Sequence, residues 1–110
     1  MEINVKRQEE VFVVSVTGRM DGVTAPEFEK ELGDLIGQGG TTFIVDFGGL
    51  DYISSAGLRS ILIIAKKLKK MNGRIMLSAL KDTVKEVFEI SGFTSIIPVY
   101  ESEEAARQEI

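Results

Sequence analysis

Two runs of β-type residues open the chain. "EINVKR" and "VFVVSVTG" predict a pair of strands joined by a turn at Gln8 to Glu10. Val11, Val13 and Ser15 fall on one face of the second strand and Phe12, Val14 and Val16 on the other, the pattern of a strand covered on both sides. "RMDG" breaks the alternation. Thr24, with Pro26 in the first turn and Glu27 three positions on, predicts a capping-box start to a helix over 24–36, whose apolar stripe is Phe28, Leu32, Leu35 and Ile36. Gly37, Gly39 and Gly40 end it.

"TTFIVDF" at 41–47 reads as a buried strand, and "GGLDYISS" as the loop after it. From Leu58 the apolar positions Leu58, Ile61, Leu62, Ala65 and Leu68 keep a helical spacing that ends at Asn72-Gly73. On that wheel Ile63 points away from the core and Ile64 lies on the flank. "RIMLSAL" is a short strand, and "KDTVKEVFEISG" a helix with Val84, Val87, Phe88 and Ser91 on one side and Gly92 as its stop. "SIIPVY" is an edge strand, because Pro98 has no N–H for a central ladder, and "SEEAARQEI" is a polar helix.

The order β β α β α β α β α implies a mixed sheet of four to five strands with about four helices, an α/β fold in one domain over 1–110. Successive βαβ units share one strand direction, so their strand-to-helix loops leave the same edge of the sheet. The loop with Asp21 and the loop with Ser54 and Ser55 are thereby expected side by side, at the carboxyl ends of parallel strands where open α/β sheets place their sites.

Composition narrows the chemistry. A chain of 110 residues, 44% hydrophobic, fits a single core of modest size. The longest apolar run, Ile61 to Ala65, is far short of a bilayer span, and "MEINVKRQEE" has no apolar signal region, so a cytoplasmic protein is expected. With neither cysteine nor histidine, disulfides, thiolate or imidazole metal sites and histidine-based triads drop out. The formal charge of −4 gives no field for nucleic acid, and "KKLKK" at 66–70 reads as the cationic end of a helix.

The serine pair carries the remaining chemistry. Ser54 or Ser55 is suited to cap the helix that follows, and a helix N-terminus also accommodates a phosphate, since its free N–H groups and positive dipole end favour negative charge. A serine nucleophile would need a lysine or carboxylate base in a dry pocket, and no such group stands out. Asp46 and Asp51 flank the loop and are explained by turn chemistry. "GQGG" lacks the G-K-[ST] ending of a phosphate loop.

"GRMDGVTAPEFEKEL" followed by "FIVDFGGLDYISSAGLRSILIIAKKLKKMNGRIMLSALKDTVKEVFEISGF" resembles the bacterial anti-sigma factor antagonists, a branch of the STAS domain family. The likeness covers nearly the whole chain and is most specific from Asp46 to Leu58. It implies a STAS-like fold and a binding module rather than an enzyme, with no cofactor and no metal. It implies, too, that a serine at the start of the second helix is phosphorylated by a partner that is both serine protein kinase and anti-sigma factor. The unmodified antagonist sequesters that partner and so regulates transcription, phosphorylation releases it, and a serine phosphatase resets the system. By motif position the modified residue is Ser55, with Ser54 as the rival hydroxyl. Partner binding is expected to draw on Asp21, Thr24, Ser54, Ser55, Gly57, Arg59 and Ile63.

Two positions depart from the family pattern. Ser54 stands where an aspartate often precedes the modified serine, and Arg59 stands where a glycine often follows the leucine. No nucleic-acid or membrane partner is expected from the charge and the short apolar runs, and a monomer is expected when the protein is free. A second reading keeps the fold without the switch, as a STAS-like subunit of a transporter or scaffold assembly in which Ser55 only caps a helix. A third, a small hydrolase using Ser55, would require turnover that is lost in Ser55→Ala.

Overall fold

The computed structural model describes residues 1–110. β1 (Glu2–Gln8) and β2 (Val11–Met20) form an antiparallel hairpin. Helices α1 (Ala25–Gly37), α2 (Ser55–Lys70) and α3 (Asp82–Ile90) then lead into β3 (Thr42–Ile53), β4 (Arg74–Ser78) and β5 (Val99–Tyr100), each parallel to the strand before it. A 3₁₀ turn at Phe93–Ser95 precedes β5, and α4 (Glu103–Arg107) follows it. The sheet runs β1-β2-β3-β4-β5, a mixed sheet of five strands with four helices, within the four to five strands and about four helices that the element order implied. β5 is a two-residue edge strand directly after Pro98, as that proline required.

One face of the sheet carries the main core. Phe12, Val14 and Val16 of β2 and Phe43, Val45 and Phe47 of β3 pack there against α1, α2 and α3. Phe47 sits between Phe28 of α1 and Phe88 of α3, with ring centroids 6.4 and 6.2 Å away, tying the two helices to the central strand. The other face holds a small cluster, Val11, Val13, Ile44 and Met76, covered by Ala106 of α4.

β3 departs from the sequence reading. Residues 48–53, expected as a loop, continue the strand to Ile53. The pairing with β2 shifts register twice, between Ser15 and Thr17 and between Gly18 and Arg19, so β3 takes up two extra residues against β2. Core positions are therefore two apart up to Phe47 and three apart across each bulge, at Leu50 and Ile53. Gly49 permits this, because a Cβ there would lie 2.5 Å from Thr17 Cγ2. Without that side chain the two strands stay close enough to pair through the bulge.

The buried face of α2 is also turned from the expected one. Gly57, Ser60, Ile61, Ile64 and Leu68 are buried, while Leu58, Leu62 and Ala65 lie at the margins. Ile64 is fully buried and Ile63 is half-buried rather than pointing away. Five apolar residues in a row, 61–65, allow more than one helical stripe, and packing against α1 selects among them. Ser60 is drawn into that contact, its hydroxyl donating to a Glu29 carboxylate oxygen at 3.2 Å.

Candidate functional site

The carboxyl ends of β2 and β3 bring the two sequence-predicted loops together. Met20 and Ile53 are paired in register, and the Ser54 N–H donates to the Met20 carbonyl at 2.9 Å. The loop from Asp21 to Thr24 and the start of α2 thus share one edge, as the crossover argument required.

Each loop is built from local capping chemistry. The Thr24–Glu27 capping box does not form: Thr24 makes no side-chain cap to its own helix. The reciprocal pair lies three residues earlier. Asp21 Oδ1 accepts from the Thr24 N–H at 3.1 Å, Thr24 Oγ1 accepts from the Asp21 N–H at 2.9 Å, and the Thr24 hydroxyl donates to the Arg19 carbonyl at 2.8 Å. Asp21 Oδ1 also accepts from the Val23 N–H at 3.0 Å. Asp21, rather than Thr24, therefore anchors the turn into α1, with the Ala25 N–H donating to its carbonyl at 2.8 Å. These bonds favour the charged carboxylate: the Thr24 and Val23 backbone N–H groups hold its pKa below the ordinary aspartate value, helped by the Thr24 hydroxyl and the Arg19 charge. A fixed negative charge accordingly stands on this edge at neutral pH.

The two serines have different places. Ser54 is the N-cap of α2, extended at φ −97° and ψ 175°, and its Oγ accepts from the Gly57 N–H at 3.3 Å. Ser55 is the first residue of the helix and is exposed, and its hydroxyl makes no hydrogen bond within the protein. Ser54 is half-buried and occupied, whereas Ser55 is free.

Arg59, one helical turn beyond Ser55, is exposed on α2, and half-buried Ile63 follows it by another turn. Gly57 does not belong to this surface. It is buried where α2 crosses the strand ends, and a Cβ there would meet Ile53 Cγ1 at 2.7 Å and the Met20 carbonyl oxygen at 3.0 Å. It is a packing residue that lets α2 approach β2 and β3. Thr24 is likewise occupied with Arg19 and Asp21, so its hydroxyl is part of the scaffold.

Three residues that the sequence reading passed over complete the edge. Val23, beside Asp21, is 88% exposed, an apolar side chain at the tip of the loop. Tyr52 is 41% exposed, with the Arg19 guanidinium 4.2 Å from its ring centroid, a cation–π contact between cross-strand partners. Asp51, next to it, pairs with Lys81. Reading 48–53 as a loop hid Tyr52 and its partner Arg19, while Val23 fell between the "RMDG" break and the helix start at Thr24. No group of three or more carboxylates on the chain is arranged to hold a metal ion. The edge offers a free hydroxyl on a helix N-terminus, a fixed carboxylate, and exposed apolar and cationic side chains, which suits recognition by another macromolecule.

The STAS domain model matches residues 2–106. Over 106 residues, 96% of this chain and 91% of the other, the sequence is 42% identical to BtrV of Bordetella bronchiseptica, provisionally named an anti-sigma factor antagonist. A crystal structure from Thermotoga maritima, also provisionally described as an anti-sigma factor antagonist, superposes with a TM-score of 0.94 at 19% identity, over 98% of this chain and 93% of that one. SpoIIAA, a Bacillus cell fate determinant solved in its phosphorylated form, superposes with a TM-score of 0.76 at 24% identity, over 99% of this chain and all of that one. No helix is long and apolar enough to cross a membrane.

Proposed function

Because the chain belongs to the STAS domain family, we propose that it is an anti-sigma factor antagonist, a regulatory binding module switched by phosphorylation of Ser55. Unmodified, it binds and sequesters an anti-sigma factor that is also a serine kinase; phosphorylated, it releases that partner, and a serine phosphatase returns it to the binding form. The similarity to BtrV over nearly the full length of both chains supports the class of activity. For the switch, the carrying observation is the division of labour between the serines. Ser54 is engaged as the helix cap, while the Ser55 hydroxyl is exposed and free to enter a kinase active site.

The docking surface in this reading is Asp21, Val23, Ser55, Arg59 and Ile63, with Arg19 and Tyr52 at its border. Val23 supplies apolar contact area and Arg59 charge-assisted hydrogen bonds. A phosphate on Ser55 adds a charge of about −1.5 to −2 beside the ionised Asp21 carboxylate. In a contact surface that closes over it, such a dianion is repelled by acidic groups and loses water without full pairing, which raises the dissociation rate. Its position at the first turn of α2 is compatible with the fold, since the helix dipole favours negative charge there.

The test is capture from the cells that make the protein. Immobilised protein bearing an unmodified Ser55 is compared with protein in which phosphoserine has been incorporated genetically at position 55. Retention of a kinase-fold partner by the first and at least tenfold less by the second is expected. Equal retention by both forms would refute the switch.

A further inference from the structure

Away from the serine edge, α2 borders a groove that the proposed switch does not use. It lies between the second half of α2 and the 96–98 segment leading into β5, with a volume of about 500 Å³. Leu62, Ala65, Ile75, Ile97 and Pro98 form its apolar lining. Ile96 stands on the wall at 59% exposure, a large apolar side chain held in water. The polar groups that converge here are cations, Lys66, Lys69 and Arg74, and no carboxylate lines the groove. Neither lysine pairs with an acid anywhere in the protein, while Arg74 donates to the Glu109 carbonyl at 2.9 Å.

A helix C-terminus accounts for lysines in the last turn, through the dipole. It does not account for an apolar trough beside them, nor for an isoleucine left exposed on its wall. A cleft of a few hundred Å³, mostly apolar and carrying a few like-charged groups, is the form of a small-molecule site. Its size suits one flexible chain rather than a packed helix, and the charges call for an anionic head. We propose that this groove binds a single-chain carboxylate amphiphile, a free fatty acid, with the acyl chain along Leu62, Ile75 and Ile96 and the carboxylate between Lys66 and Lys69. The lysine stems pack along the chain while their ammonium groups reach the head. Leu62 lies seven residues beyond Ser55, about 10 Å along the helix at 1.5 Å per residue, so this site and the serine surface are separate.

The test uses the full chain and decanoate, kept below its micelle threshold and followed by ¹H–¹⁵N NMR. Saturable shifts centred on Leu62, Gly73, Ile96 and Ile97 are expected. Decyltrimethylammonium, with the same chain and the opposite charge, should bind at least tenfold more weakly. Ile96→Asp and the double variant Lys66→Glu/Lys69→Glu change exposed positions, so they should stay folded and each weaken decanoate at least tenfold, while Arg59→Gln should leave it unchanged. Shifts that never saturate or scatter over the surface, or equal affinity for both head groups, would overturn the proposal. So would two other outcomes in the absence of decanoate binding: cosedimentation with phosphatidylglycerol vesicles, which would assign the groove to a membrane surface, or groove shifts with an acidic amphipathic peptide, which would assign it to a protein. None of these readouts depends on phosphorylation of Ser55.

Discussion

Replacing each serine of the pair in turn separates a structural hydroxyl from a free one. In Ser54→Ala the α2 cap is lost, and the Gly57 N–H loses the acceptor it has at 3.3 Å. Caps of this kind contribute about 0.5 to 2 kcal/mol. The bond is long and its acceptor half-exposed, so the loss should sit near 1 kcal/mol, because water replaces part of it. With a urea slope of about 2 kcal/mol per M, typical of a small domain, that moves the unfolding midpoint down by about 0.5 M with the slope unchanged. Ser55→Ala removes a hydroxyl that bonds to nothing in the protein and puts a better helix former in the first turn. Its stability should stay within about 0.5 kcal/mol of the parent, a midpoint shift of no more than about 0.25 M. Ser54→Asp should recover most of the loss, since aspartate caps as well as serine and its charge suits the helix N-terminus. Urea titrations of the four proteins, followed by circular dichroism, make the comparison. If Ser55→Ala lost as much stability as Ser54→Ala, the assignment of cap and free hydroxyl would be wrong.

Gly57→Ala should destabilise by about 1 to 2 kcal/mol in the same titration, because overpacking against Ile53 and Met20 outweighs the better helix propensity of alanine; an unchanged or raised midpoint would show that α2 can move off the strands. Asp21 should titrate below the ordinary aspartate range, read from the pH dependence of the Val23 and Thr24 amide shifts. Since its pKa is lowered by folding, its contribution is present above the unfolded value and is lost as pH falls through the folded one. In Thr24→Val, which removes the hydroxyl but keeps the backbone N–H, the depression should shrink without vanishing, the backbone donors being its larger cause. Val23→Asp should leave the unfolding free energy within about 0.5 kcal/mol of the parent, given 88% exposure, yet cut retention of the captured kinase at least tenfold; normal retention would remove Val23 from the docking surface.

The sequence made the mixed α/β sheet and the meeting of the two loops legible, because both follow from alternating strands and helices and from the shared direction of successive βαβ units. Ser54 and Ser55 could be placed at a helix start by residue type alone, but which one caps depends on φ and ψ, and only the structure assigns Ser54 to that role. β3 was misread past Phe47 because two bulges change its core spacing from two to three, and Gly48-Gly49 looks like a turn when it is a point of close strand approach. The α1 cap was misread because the reciprocal pair is Asp21 with Thr24, whose side chains do not follow the usual Ser/Thr then Glu order. On α2, five successive apolar residues left the helical phase to be chosen by tertiary packing. Exposure of Val23 and Tyr52 depends on where a loop tip and a bulged strand end point, which periodicity does not encode.

The proposed switch turns on modification of Ser55, and phosphopeptide mapping of the protein recovered from its own cells shows which serine carries the phosphate. The mapping is made with and without an imposed stress, and on Ser54→Ala and Ser55→Ala strains in parallel. Phosphate is expected on Ser55, with an occupancy that changes with the stress, retained in Ser54→Ala and abolished in Ser55→Ala. Phosphate on Ser54 instead would contradict this by moving the switch to the helix cap, and none under any condition would contradict it and leave the fold serving as an unswitched binding subunit.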